Sequence, residues 1–324
     1  MLSRYFKKRN DNMSKKKIFL IGFLALFIGL VLGGGAYFLS TINKLDRTDI
    51  PTDHEDLGID EEVAKELEEK NSNIKNIALF GIDAEEGLKG RSDAIMVLTI
   101  DDKHNKLKLT SIMRDSYVKM EGRGQDKLNH AYAFGGPELA IKTINQNFNL
   151  NIKDFATVNF STLPKIIDAV GGIEINIKDY EVSRAGVSSA GLQTLNGEQA
   201  LKYSRIRYAG NGDFERTQRQ REVLLSLFNK VKNRSITSNI SLANEILPLI
   251  KTSLTNSEII KMGTSVMKNG SMTPEMARFP RDEHAHGEKI NGVYYLVYDE
   301  DETIQTMHDY IFEDKSLDSK ASSN

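Results

Sequence analysis

From Asn76 to Ile112 the sequence reads NIALFGIDAEEGLKGRSDAIMVLTIDDKHNKLKLTSI. Three apolar runs stand in it, NIALFGI at 76–82, DAIMVLTI at 93–100 and KLKLTSI at 106–112, and each is bounded by polar or glycine-bearing turns. Apolar runs of this length with turn residues between them are strand signatures. The short DDKHN connection makes the last two a hairpin, so they pair antiparallel. Further strands are expected at FATVNF (155–160), GIEINI (172–177) and VYYLVYD (293–299). Helical periodicity covers 137–148, with Pro137 in its first turn, and 161–170, 197–202, 214–231, 238–249, 257–267 and 302–312. Strands alternating with helices predict an α/β fold in three α-β-α layers, and the hairpin makes the central sheet mixed. No Pro-rich or Ser/Gly-rich stretch cuts residues 75–315, which read as one domain ending in a tail at 316–324.

Upstream lies IFLIGFLALFIGLVLGGGAYFL, Ile18 to Leu39, 22 residues without a charge. About 20 apolar residues cross a bilayer core. The run is longer than the apolar part of a cleaved signal and lacks a good cleavage site after it, so it reads as an uncleaved transmembrane helix. Residues 1–17 carry seven bases against one acid, which places that tail in the cytoplasm and residues 40–324 outside. Residues 46–69 carry eleven acids against two bases and include DEEVAKELEEK, a short helix with Asp60 as its N-cap. Residues 40–74 are therefore expected to be a solvated spacer. The whole chain has 324 residues, a net charge of −2 and no cysteine. Disulfides, zinc-thiolate sites, thiol nucleophiles and a lipidated cysteine are excluded, and the near-neutral body argues against a nucleic-acid surface. Outside the cytoplasm there is no ATP pool, so the driving force must reside in an activated bond of the substrate.

The helix at 214–231 carries the chemistry. At about 100° per residue, Arg216 and Gln220 fall inside its apolar stripe with Val223 and Leu227. Arg219 falls at the edge, and Arg221 and Glu222 point elsewhere. An inward arginine has to meet an anion, because a buried unpaired charge is too costly. Just upstream, YSRIRY places Arg205 and Arg207 two residues apart, on one face if the segment is extended. Arg205, Arg207 and Arg216 then converge near a helix N-terminus, where guanidinium forks and free N–H groups suit phosphate. At the other end of the domain, Asp83 and Asp93 flank one loop at strand ends, and Arg114-Asp115 closes the third strand. Carboxylates with arginines at strand ends suit a divalent cation holding a phosphate. The P-loop, dinucleotide, zinc-protease and nucleophile-elbow motifs are absent.

Seven ordered segments, NIALFGID, GRSDAIMVLTI, LTSIMRDSYV, DKLNHAYAFGG, VNFSTLPKIIDAVGGIEINI, LNGEQALKYSRIRY and GDFERTQRQREVL, resemble the LytR-CpsA-Psr family of cell-envelope phosphotransferases. The resemblance implies an α-β-α domain that holds a polyprenyl pyrophosphate, with its tail in an apolar tunnel and its pyrophosphate against arginines and Mg²⁺ or Mn²⁺. It implies transfer of an anionic glycopolymer, such as teichoic acid or capsule, from the lipid carrier to peptidoglycan. Carried over by motif, Arg91, Arg114, Arg205, Arg207, Asp213, Arg216 and Gln220 bind the pyrophosphate. Asp83 and Asp93 hold the metal, and Asp83, Asp93, Arg114, Arg205 and Arg207 are catalytic. Met113 stands where the family commonly has proline, a change expected to loosen that turn. A lipid pyrophosphatase, or a non-catalytic lipid-binding regulator, would share the arginines; the acid pair favours an enzyme.

Overall fold

A computed structural model describes residues 42–83, 90–159, 162–206, 213–232, 242, 244–268 and 274–317. The expected transmembrane helix at 18–39 lies outside these residues. Strands β1 (Asp46–Arg47), β2 (Ile74–Asp83), β3 (Arg91–Asp101), β4 (Lys106–Ile112), β7 (Asp154–Asn159), β10 (Ile250–Thr252) and β11 (Glu275–Phe279) form one sheet in the order β1-β10-β7-β2-β3-β4-β11. The pairs β2–β7, β4–β11 and β1–β10 are parallel and the others antiparallel, so the sheet is mixed as expected. Hairpins β5 (Tyr117–Met120)–β6 (Gly124–Lys127), β8 (Ile173–Ile177)–β9 (Gly191–Leu195) and β12 (Ala285–Ile290)–β13 (Val293–Tyr298) stand apart from it. GIEINI is thus a strand, but one that pairs outside the main sheet.

The central strands are buried on both faces, and two apolar cores result. One holds Leu98, Leu107 and Leu109 of the sheet under α3 (Leu163–Ala169), α4 (Gly197–Ser204), α5 (Asp213–Lys232) and α6 (Asn256–Lys268). The other packs Phe80, Ile95 and Val97 against α1 (Glu61–Asn71), α2 (Leu128–Phe148) and α7 (Glu300–Ile311). Helix α2 begins nine residues before the expected Pro137; Gly135 and Gly136 take non-helical angles, with Gly136 at φ 64°, and split it. A positive φ there is cheap only for glycine.

The stretch expected to be a solvated spacer is part of the body. Leu57, Ile59, Ala64 and Leu67 are buried in the second core, and Asp60 caps α1 by accepting from the amides of Glu62 and Val63 at 2.9 and 3.1 Å. The acids of the segment line the outer face of α1 while Ala64, Leu67 and Asn71 face inward, which its charge count obscures. Ile42 and Leu45 are buried in the first core, and Asn43 Oδ1 accepts from Asn256 Nδ2 at 2.8 Å. Strand β1 runs parallel to β10, which is antiparallel to β7, which is parallel to β2. The chain therefore enters the sheet at the end where β2 finishes with Asp83.

Candidate active site

The β2–β3 ladder shifts register between Gly81 and Ile82: Gly81 faces Ala94, Ile82 faces Ser92, and Asp93 is the extra residue between them. A bulge re-aims the side chain it carries. Asp93 Oδ1 accepts from Arg114 Nη1 at 2.6 Å and lies 3.5 Å from Asn129 Nδ2. Arg114 also approaches Asp115, Nε to Oδ2 at 3.3 Å, and Asp115 Oδ1 accepts from Lys127 Nζ at 2.8 Å. Side-chain exposure is 14% for Arg114, 11% for Asp93 and 9% for Asp115, so this alternating row of charges is mostly out of water. Its low dielectric strengthens each pairing and leaves the guanidinium with one orientation.

The turn that carries Arg114 is tied down from several sides. The Met113 amide donates to Phe279 O at 2.8 Å, the Asn129 amide to Arg114 O at 3.0 Å, and the Leu296 amide to Asp115 O at 2.9 Å. The expectation that methionine at 113 loosens the turn is corrected here. Its amide makes a bond that proline lacks the hydrogen to make, and its side chain is buried.

Gly90, Arg91, Asp93, Arg114, Asp115, Lys127, Asn129 and Ala133 line a cavity of ≈ 610 Å³. Lys127 lies 5.8 and 5.7 Å from the ring centres of Tyr294 and Tyr295. Behind it Asp126 bonds His130 at 2.7 Å; burial alone would raise the Asp126 carboxyl, but His130 and the Lys127 amide outweigh it and hold it low. Asn129 Oδ1 is buried in this wall and has no hydrogen-bond partner. An orphaned hard oxygen beside a carboxylate fits a cation of the magnesium type, which takes few protein oxygens and shares phosphate oxygens. Among the described residues no three carboxylates or histidines gather to hold a metal by themselves. The Asp83 side chain lies outside the described residues; its backbone is the register partner of Arg91.

Of the other expected residues, Arg216 and Gln220 are buried on α5. Thr217 Oγ1 lies 3.9 Å from Met113 Sδ, so the first turns of α5 lie beside the Arg114 turn. Arg207 and the Asp213 side chain lie outside the described residues. Arg205 is corrected: it is the αR C-cap of α4, exposed, and its segment up to there is helical rather than extended. Asn196 and Gln199 cap α4 reciprocally, which nucleates a helix that runs two residues past the expected Lys202. Arg219 is corrected as well. It is not at an edge but buried, donating from Nε to Glu181 Oε1 and from Nη2 to Glu215 Oε2, both at 2.6 Å, and from Nη1 to Ile206 O at 3.0 Å. Helix α5 is covered on two sides, by the sheet and by the β8 layer, where Ser226 Oγ accepts from the Glu174 amide at 2.9 Å. A single inward stripe does not describe it. Lys127 and Asn129 were not singled out from sequence; the signal was their place in DKLNHAY, at the start of a helix.

A model of the LytR_cpsA_psr family matches residues 37–310. The chain belongs to the LytR-CpsA-Psr family. TagU of Bacillus subtilis, named a polyisoprenyl-teichoic acid–peptidoglycan teichoic acid transferase, is 33% identical over 299 residues, 90% of this chain and 94% of TagU. TagU of Oceanobacillus iheyensis is 33% identical over 320 residues, 93% of this chain and 95% of that protein. Among solved structures, TagT bound to LIIa-WTA superposes with a TM-score of 0.62 at 27% identity, covering 75% of this chain and 91% of TagT. TagT with bound octaprenyl pyrophosphate lipid gives 0.59 at 25% identity, covering 76% and 91%. These family members share the α/β fold with its central mixed sheet.

Proposed function

We propose that this protein is a membrane-anchored transferase that moves an anionic glycopolymer of the teichoic acid type from a polyprenyl-pyrophosphate carrier to peptidoglycan. The observation that carries the reading is the strand-end cavity, in which Arg114 is clamped between Asp93 and Asp115 with Arg91 and Lys127 on the walls. Preorganised cations of this kind serve phosphoryl transfer, where charge develops on the oxygens of the moving group. The similar transferases and the lipid-bound relatives supply the substrate class.

In the proposed reaction a sugar hydroxyl of peptidoglycan attacks the glycan-side phosphorus. The bond from that phosphorus to the bridging oxygen breaks, and polyprenyl phosphate leaves with the electron pair. Arg114 and Lys127 are placed to meet charge on the phosphoryl oxygens without reorganising. Asp93 receives the hydroxyl proton; paired with Arg114 it is a weak base, so the proton moves late. Magnesium or manganese, held by Asp83, Asp93 and Asn129 Oδ1, would supply further charge stabilisation. The lipid pyrophosphate is itself the activated donor, so no nucleotide is needed.

Location outside the cytoplasm rests on the basic tail before residues 18–39 and on the entry of the chain at the site end of the sheet, which favours a site facing the bilayer. The test is incubation of the full-length protein with lipid-linked teichoic acid, peptidoglycan and Mg²⁺, followed by mass spectrometry. Polymer attached to peptidoglycan through a phosphodiester is expected. Free polymer phosphate without attachment would instead show a hydrolase.

A further inference from the structure

The Arg114 cavity has a rim that no step of the proposed reaction uses. Asn129 and Ala133, one turn apart on α2, line the cavity; His130 and Phe134, each the next residue round the helix, border it. From Lys127 in the cavity wall, side chains run outward in continuous contact. Lys127 Nζ lies over the rings of Tyr294 and Tyr295 at 5.8 and 5.7 Å, and Tyr295 packs on Tyr117 with ring centres 4.6 Å apart. Tyr295 Oη is 3.5 Å from Asp126 Oδ1, Asp126 Oδ2 bonds His130 Nδ1 at 2.7 Å, and the His130 ring meets Phe134 edge-on at 5.8 Å. Arg123 ends the row over the Phe134 ring at 4.1 Å.

Tyr294 and Phe134 each keep 45% of their area in water, and large exposed rings beside a pocket mark a binding surface. The row is also held in place. The Leu296 amide donates to Asp115 O at 2.9 Å and Leu296 bridges Ser116, which ties the strand of Tyr294 and Tyr295 to the Arg114 turn. On β12, a Cβ at Gly287 would stand 2.6 Å from Tyr294 Cε2, so the tip of that ring rests against bare backbone.

Fixed rings with polar groups between them suit a sugar, whose C–H faces lie on aromatic surface while its hydroxyls find donors and acceptors at the edges. The polar groups here match hydroxyls better than ions. Lys127 is already held by Asp115 at 2.8 Å and Arg123 lies over a ring, while the Asp126 carboxylate accepts from hydroxyls and repels a phosphodiester. The same carboxylate opposes burial of the row among anionic lipid headgroups.

We propose that Tyr294, Tyr295, His130 and Phe134 form the acceptor subsite, on which a sugar ring of the glycan strand stacks while its hydroxyl reaches the phosphorus in the Arg114 cavity. That this sugar is the acceptor rests on the transferase reading; that the rim takes an uncharged glycan does not. The test is saturation-transfer NMR on the full-length protein in a detergent without a sugar headgroup, with aromatic protons irradiated. The probes are an N-acetylglucosamine tetramer and oligo(glycerol phosphate).

Saturation should pass to the ring C–H protons of the tetramer, and more strongly than to the phosphate oligomer. Tyr294→Leu and Phe134→Leu should each weaken tetramer binding about fivefold while unfolding cooperatively, and Tyr294→Phe should keep it. Gly287→Ala removes no side chain of the rim but displaces the Tyr294 ring, and should weaken binding as well. In transfer assays the leucine variants should raise the acceptor KM about fivefold with the donor KM unchanged. Undiminished tetramer binding in both leucine variants, or stronger saturation of the phosphate oligomer, overturns the subsite. A rise in donor KM in place of acceptor KM overturns the acceptor assignment. Failure of the transferase reading would appear separately, as tetramer binding by a wild type that transfers nothing.

Discussion

Replacing Arg114 by alanine separates what this arginine does for the fold from what it does for the reaction. Its guanidinium is 2.6 Å from Asp93 and 3.3 Å from Asp115, with little exposure. Removing one partner of a buried pair costs about 3–5 kcal/mol, chiefly through the charge left behind. Here Lys127 still holds Asp115 at 2.8 Å and the row touches the cavity solvent, so about 2 kcal/mol is expected, near 5 °C in midpoint for a domain of this size. Turnover should fall about 10²- to 10³-fold, the usual effect of losing one preorganised donor. Asp93→Asn added to Arg114→Ala removes the stranded charge, so the double variant should regain more than half of the lost stability and none of the activity. Calorimetry beside the peptidoglycan transfer assay reads both quantities. A double variant that melts with the single one, or an Arg114→Ala protein within threefold of wild-type turnover, refutes the reasoning.

Arg219→Met should destabilise by about 3–5 kcal/mol, because fully buried Glu181 loses its cation, and adding Glu181→Gln should recover part of this in urea titrations. Asp93→Asn alone should leave the fold intact and abolish the magnesium response of transfer, while co-purified lipid measured by mass spectrometry stays near the wild-type amount. Protease added to intact protoplasts should remove residues 40–324, and full protection would overturn the extracytoplasmic reading. Burial lowers His308 from its ordinary 6.5, against the upward pull of the Asn149 and Phe148 carbonyls. The unfolded chain then takes up a proton that the folded one refuses. Stability should be full above about pH 6.5 and fall on acidification below it, and His308→Gln should flatten that fall in urea midpoints.

The strands at 76–82, 93–100 and 106–112 were legible because burial on both faces leaves a run of apolar residues that no turn interrupts. The bulge at Asp93 was not: it is a mismatch between two strands, and neither strand's own pattern records it. Asp60 was readable as a cap because a capping side chain acts on amides two and three residues away. Helix α5 defeated the single-stripe argument because the sheet contacts it through Arg221 and the β8 layer through Ser226. The extended conformation expected at Arg205 was not found because a capped helix runs on past its apolar pattern. The Arg114–Asp93 pair joins residues 21 apart that were each identified, though only the fold shows them in contact.

The entry of the chain beside the site also sets the reach of the enzyme. On the proposed anchorage, Leu39 ends the membrane span and Ile42 is already fastened inside the domain, so three peptide steps, roughly 10 Å at full extension, join the two. Such a tether lets the domain pivot but not rise. The carrier's pyrophosphate, fixed at headgroup depth, then meets the cavity without being drawn out of the bilayer. On that anchorage the wall strand that accepts the polymer would have to come down to the membrane plane, and the transferred polymer would extend outward from the innermost layer of the wall.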